Sequence, residues 1–316
     1  MRIVDFDASH IEQAVQIVLR NYDGERKYAA SLPKIQADTI PDMTPFADNG
    51  FGVAAVEEKE LLGFLCCYDP FDNAFHIPGL RGVFSPMHGN GTVLEKRAAI
   101  YARMYQTAGA KWARAEAASH AVCLYAHDTQ GQSQFFRYGF GMRAVDAVRG
   151  MDAVEAPRCD GYEFVKLTLE DALDVMPLDN MLHKHLFESP YFMYNAPHNE
   201  ADFLEYFTQH RPMCFAARYD NQYVAFILVE HDGETFIKDT PGYCHVSSAY
   251  CMPGHRGNGL HQNLLKMAVE ELITQGYTRL GVDYESLNPS GSRFWQKYFD
   301  AYTASVVRRI DESVLV

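Results

Sequence analysis

Apolar positions in the second half of the chain fall into blocks with two different periods. From Leu260 to Gln275 they recur at Leu260, Leu264, Leu265, Met267, Ala268, Leu272 and Ile273, the spacing of one helical face. Gly276 follows at once, the residue that ends a helix at least cost. Upstream, Cys214-Phe-Ala-Ala-Arg218 and Tyr223-Val-Ala-Phe-Ile-Leu-Val-Glu230 flank Asp220-Asn221 and predict a hairpin. Tyr243 to Met252 and Tyr277 to Tyr284 read as further strands. A hairpin, a crossover helix and a strand on each side of it predict an α+β sheet with mixed pairing.

Three landmarks recur in the same order roughly 160 residues apart. A short strand enters a helix at Arg2-Ile-Val-Asp-Phe-Asp then Ile11 to Val18, and again at Glu163-Phe-Val-Lys-Leu-Thr then Asp171 to Val175. A glycine turn, Pro86-Met-His-Gly-Asn-Gly91, is echoed by Pro253-Gly-His-Arg-Gly-Asn-Gly259. An aromatic helix end, Ser133 to Phe140, parallels Ser292 to Phe299, and Arg149 and Arg308 follow. The order predicts a tandem duplication: one domain over 1–150, a linker over 151–161 containing Pro157 and Gly161, and a second domain over 162–316.

Length and charge narrow the function. At 316 residues the chain suits two domains, and 47% apolar residues give each a core. The net charge of −13 argues against nucleic-acid binding, which needs clustered Lys and Arg. No apolar stretch has the length to span a bilayer, and the N-terminus has no apolar leader, so a cytoplasmic protein without a membrane partner is expected. Seven cysteines, an odd number without CxxC spacing, read as reduced thiols.

The stretch Tyr250-Cys-Met-Pro-Gly-His-Arg-Gly-Asn-Gly-Leu-His261 lies between a strand and the long helix. Glycines at a helix start leave backbone N–H groups open to an anion, and Arg256 adds a fixed charge there. This order of elements, continued by Asn288 and an aromatic helix, resembles the GCN5-related N-acetyltransferase (GNAT) superfamily. The resemblance implies two tandem GNAT-like domains, each a mixed, mostly antiparallel sheet flanked by helices. It also implies acetyl-CoA as co-substrate, a small-molecule primary amine as acceptor and direct attack of that amine on the thioester. A homodimer is one assembly open to such a protein. Acyl-CoA is then expected to follow Tyr250, Cys251 and Met252, to cross Arg256, Gly257, Asn258, Gly259, Leu260 and His261, and to pass Asn288 and Trp295. His261 stands where the family has a small residue.

The attacking amine must lose a proton, and Asp283, Glu285 and His245 on adjacent strands are the candidate acceptors, with Glu285 the expected base. Family members often place a tyrosine in the aromatic helix as acid for the thiolate. Here the spacing gives Phe294 or Trp295, so the neighbouring Tyr298 is the expected donor. In the first half His88 replaces the arginine, and no CoA is expected there. His183 and His185 alternate like a metal pair, but no third ligand follows at a suitable spacing, so no metal is expected. A chain that kept the CoA motif without acid and base would instead be a CoA-binding sensor or binding module.

Overall fold

The computed structural model describes residues 1–315. Its elements, in chain order, begin with β1 (Arg2–Asp5), α1 (Ile11–Glu25), α2 (Thr44–Asp48), β2 (Val53–Glu57), β3 (Glu60–Leu65), β4 (Gly82–Ser85) and β5 (Asn90–Thr92). Then come α3 (Arg97–Arg114), β6 (Ser119–Tyr125), α4 (Thr129–Arg137) and β7 (Gly141–Gly150). The second half runs β8 (Tyr162–Leu167), α5 (Met176–Phe187), α6 (Glu200–His210), β9 (Met213–Tyr219), β10 (Gln222–Glu230) and β11 (Tyr243–Cys251). It continues through α7 (Leu260–Thr274), β12 (Arg279–Glu285) and α8 (Pro289–Tyr298) to β13 (Asp300–Ala301) and β14 (Thr303–Arg309). No helix among the described residues is long and apolar enough to cross a membrane.

Two compact units divide these elements. The first holds Met1–Ala147, Tyr284–Ser286 and the chain from Asp300 onward, and the second holds Val148–Asp283 and Leu287–Phe299. Both follow one plan. In the first, β1, β2, β3 and β5 form an antiparallel sheet, and a separate sheet holds the parallel pair β4 and β6, whose crossover contains α3. In the second, β8, β9, β10 and β11 are antiparallel neighbours, and β11 runs parallel to β12 across a crossover containing α7. Each crossover strand is followed by a short helix capped in the same way. Asp128 accepts from the Gly131 amide and Asn288 from the Gly291 amide, at 2.9 and 3.0 Å.

Of the helical face read from the sequence, Leu260, Leu264, Leu265, Ala268 and Leu272 of α7 are buried, Met267 is half-buried and Ile273 is exposed, and Gly276 follows with φ +84°. The β9–β10 turn places Asp220 and Asn221 at φ 51° and 60°, the twist-matched geometry that short polar side chains tolerate.

The expected second domain, 162–316, is not continuous. Strand β14 pairs with β6 from Thr303↔Tyr125 to Arg309↔Ser119 and with β7 on its other edge, extending the sheet that holds β4 and β6 in the first unit. Val306 is wholly buried there, in the cluster built on Trp112, Tyr105 and Phe135. Strand pairing is made through backbone groups, so nothing in the side-chain pattern of 303–309 says which half it completes.

Candidate functional site

The second unit opens where two parallel strands part. Pairing of β11 with β12 runs from Tyr243↔Arg279 to Val246↔Val282 and stops, while β11 continues to Cys251. Against β10, the register jumps from Leu228↔Ser248 to Val229↔Val246, so Ser247 is an extra, bulged residue. Beyond the bulge the β12-facing edge of β11 has lost its partner strand. Because strand residues alternate, and the Met252 amide donates to the Val224 carbonyl at 2.9 Å on the β10 side, the amides of Ala249 and Cys251 face the opening.

A cavity of about 350 Å³ fills this opening, bounded by β11, the start of α7 and the start of α8. Helix α7 has Gly259, φ +81°, as its N-cap, two residues after Gly257, φ +83°. No side chain caps it, so its first amides remain available at the positive end of the helix dipole. The turn is braced from behind by the segment expected as a linker. A Cβ on Gly259 would lie 2.3 Å from Pro157 Cγ, Asn263 Nδ2 donates to the Pro157 carbonyl at 2.9 Å, and the Cys159 thiol donates to the Asn258 carbonyl. Arg256 is exposed at the mouth; its Nε donates to the Cys251 carbonyl at 2.9 Å and its guanidinium lies 5.4 Å over the Tyr250 ring.

Two imidazoles line the same space. Burial pulls the His261 pKa down to about 4, and burial followed by the charge of Arg256 lowers that of His185. Both are therefore neutral near pH 7, and the Nε2 of each is buried without a hydrogen-bond partner among the described residues. An orphaned buried nitrogen costs free energy that a ligand group can recover. With a helix N-terminus, a fixed cation and an unpaired strand edge converging here, the cavity fits an extended molecule with a pyrophosphate and amide groups, which is the chemistry of CoA.

Of the expected CoA residues, Tyr250, Cys251, Arg256, Gly257, Gly259, Leu260, His261, Asn288 and Trp295 line this one cavity. Met252 and Asn258 flank it: the Met252 amide bonds to β10 and the Asn258 side chain reaches the Tyr162 hydroxyl at 3.3 Å. The Asn288 oxygen is spent on capping α8. Tyr298 is not among the lining residues; it lines a separate concavity with Arg149 and Lys297, whose ammonium lies 5.1 Å over its ring. Glu285 belongs to the first unit, where its carboxylate accepts from Arg143 Nε at 2.8 Å.

Other polar groups cluster around the bulge. The extra residue keeps His245 on the face of Ser248 and Tyr250, the face on which α5 and α6 pack. Glu230, opposite His245, is 8% exposed. Its Oε1 accepts from the Tyr206 hydroxyl at 3.0 Å, and its Oε2 has no hydrogen-bond partner among the described residues. His245 sits between the Tyr243 hydroxyl and the Asp283 carboxylate, 2.8 Å from each. Sequence reasoning missed Glu230, and the one signal was a carboxylate closing an otherwise apolar run.

The corresponding opening in the first unit is closed from within. Strand β4 leaves β6 after Ser85↔Val122, but Asn90 then spans the gap, donating to the Cys123 carbonyl at 2.9 Å and accepting from the Tyr101 hydroxyl at 3.1 Å. His88 is buried beside Phe46 and Tyr68, and burial lowers its pKa to about 4. The cation at the start of α3, Arg97, is buried against Asp128 at 3.1 Å.

The parted strands, glycine turn and uncapped helix belong to the fold of the GCN5-related N-acetyltransferases. Residues 180–300 match the model of the Acetyltransferase (GNAT) family. A GCN5-related N-acetyltransferase from Sphaerobacter thermophilus superposes with a TM-score of 0.60 at 12% identity, covering 97% of this chain and 95% of its own. A GCN5-related glucosamine N-acetyltransferase region of a fungal multi-domain GH3 β-N-acetylglucosaminidase gives 0.55 at 10% identity, covering 97% of this chain and 38% of that one. No curated protein sequence matches the chain.

Proposed function

We propose that the protein is an acetyl-CoA-dependent N-acetyltransferase acting on the primary amine of a small molecule by direct attack. One observation carries this reading: the uncapped N-terminus of α7, with glycines at φ +83° and +81°, opens onto the cavity left where β11 parts from β12. The α7 amides and Arg256 would hold the pyrophosphate, and the free edge of β11 would hold the amides of the arm. The bound co-substrate supplies an acyl thioester.

This chain's residues then manage the proton. An amine at neutral pH arrives as a cation, and the buried carboxylate of Glu230 favours its approach. Glu230 is the proposed base: Tyr206 fixes one oxygen, and the other, 3.7 Å from His210 Nδ1, makes no hydrogen bond among the described residues and would accept the ammonium proton. The nitrogens of His245 are both engaged, so it orients Asp283 and is not itself the acceptor. Seven cysteines, none in a disulfide, fit a reducing compartment such as the cytoplasm.

The test is CoA thiol release from acetyl-CoA with a panel of amino acids, polyamines and amino sugars, glucosamine included. Glu230→Gln is expected to lower kcat by roughly 10²–10⁴-fold while leaving the acetyl-CoA Kd unchanged. Acetyl-CoA binding without turnover of any amine would leave a CoA-binding module and sink the enzyme reading.

A further inference from the structure

On the α5 face, away from the cavity lining, three metal-competent side chains converge. Asp179 and His183 are one helical turn apart on α5, and His198 arrives from the connection to α6. Asp179 Oδ2 lies 3.8 Å from His183 Nε2 and 3.4 Å from His198 Nε2, and the three donor atoms lie within 4.8 Å of one another. We propose that Asp179, His183 and His198 form a three-ligand zinc site.

Each donor is already aimed. His183 Nδ1 lies 3.0 Å from the Ala196 carbonyl, an acceptor only, so Nδ1 carries the proton and the Nε2 lone pair points at the cluster. The backbone of His198 is clamped by one side chain: its amide donates to Asn180 Oδ1 at 2.8 Å and its carbonyl accepts from Asn180 Nδ2 at 3.0 Å. Asp179 is 5% exposed, and Ser248 on β11 donates to its Oδ1 at 2.8 Å, leaving Oδ2 for the two imidazoles. Supports of this kind behind the ligands orient a metal site.

The spacing selects the geometry. Two donors about 2.1 Å from one ion are about 3.4 Å apart at a tetrahedral angle and about 3.0 Å apart at a right angle. Separations of 3.4 and 3.8 Å lie nearer the tetrahedral value than the right-angle one. Two imidazoles and a carboxylate with a fourth position open is a zinc donor set. The two histidines that alternate in the sequence, His183 and His185, do not converge: His185 packs on Tyr191, ring centres 4.8 Å apart, and lines the cavity at the start of α7.

The full-length protein, stripped with EDTA, is titrated with Zn²⁺ against a chromophoric chelator, and bound metal is counted by elemental analysis. One zinc per chain is expected, weakened at least about a hundredfold in His198→Ala and in Asp179→Asn, because even supporting residues are worth 10–100-fold. His231→Ala, which removes an exposed histidine elsewhere, is expected to bind as the parent does. Co²⁺ substitution is expected to give the strong visible absorption of a four-coordinate ion in the parent and not in Asp179→Asn, whose isosteric side chain guards against misfolding. Equal zinc affinity in the parent and both site variants, or a weak six-coordinate Co²⁺ spectrum, would overturn the proposal.

Discussion

Replacing Gly259 with alanine tests how the glycine turn before α7 is built. A non-glycine residue at φ +81° costs about 1–2 kcal/mol from its backbone alone. The new Cβ would also lie 2.3 Å from Pro157 Cγ and 3.1 Å from its Cδ, against an ordinary carbon contact of about 3.5–4.0 Å. The proline ring has no rotamer that clears the space, so the segment 157–159 must retreat. That strains the Asn263–Pro157 and Cys159–Asn258 hydrogen bonds, each worth about 0.5–1.5 kcal/mol net. The expected total is about 2–4 kcal/mol by urea denaturation, with a weaker acetyl-CoA Kd because the first amides of α7 turn away. Gly257→Ala is the control: its φ is +83°, yet nothing lies within 4 Å of its Cβ, so only the backbone penalty applies. Pro157→Ala removes the colliding atoms, and the double variant is expected to be more stable than the two single losses predict in sum. Equal losses for Gly259→Ala and Gly257→Ala, with no coupling to Pro157, would refute the reasoning.

Two further outcomes follow from the first unit. Burial lowers the imidazole pKa values of His88 and His120 from 6.5 to about 4. The unfolded chain takes up these protons below about pH 6.5 while the fold refuses them until about 4, so stability present above 6.5 is lost as pH falls through that window, by at most about 3 kcal/mol per imidazole. Tm measured against pH should fall across it, and a His88→Gln slope as steep as the parent's would contradict this. Val306→Ala should cost about 2–3 kcal/mol, because β14 is part of the first unit's core. Ending the chain after Phe299 should loosen amide-exchange protection in β6, and unchanged protection there would show that β14 is dispensable.

The sequence carried most of the second unit. The helix face of α7, the Asp220-Asn221 turn and the glycine turn were legible because each rests on local chemistry: periodicity, tolerance of positive φ, and a free helix end. The surroundings of the proposed base were not, because the bulge at Ser247 moves His245 to the face of Ser248. No side-chain pattern announces one extra strand residue. Glu285 and Tyr298 looked apt by spacing, yet one is paired with Arg143 and the other lines a different concavity. His198 was invisible as a partner of Asp179 because a loop, not a period, brings it back. The glycine echo at Pro86–Gly91 was read correctly as a duplication, and the structure adds why the first copy differs: Asn90 fills the gap between its parted strands.

The central claim is an acyl-CoA site at α7 that depends on Arg256. The most direct measurement is Tm with and without acetyl-CoA for the parent and Arg256→Ala, with NADH as control. At about a hundred times Kd the ligand should add roughly 2.7 kcal/mol to the parent. A clear rise with acetyl-CoA, none with NADH and a smaller one in Arg256→Ala is the expected result. No shift with acetyl-CoA, CoA or longer acyl-CoAs would contradict the account.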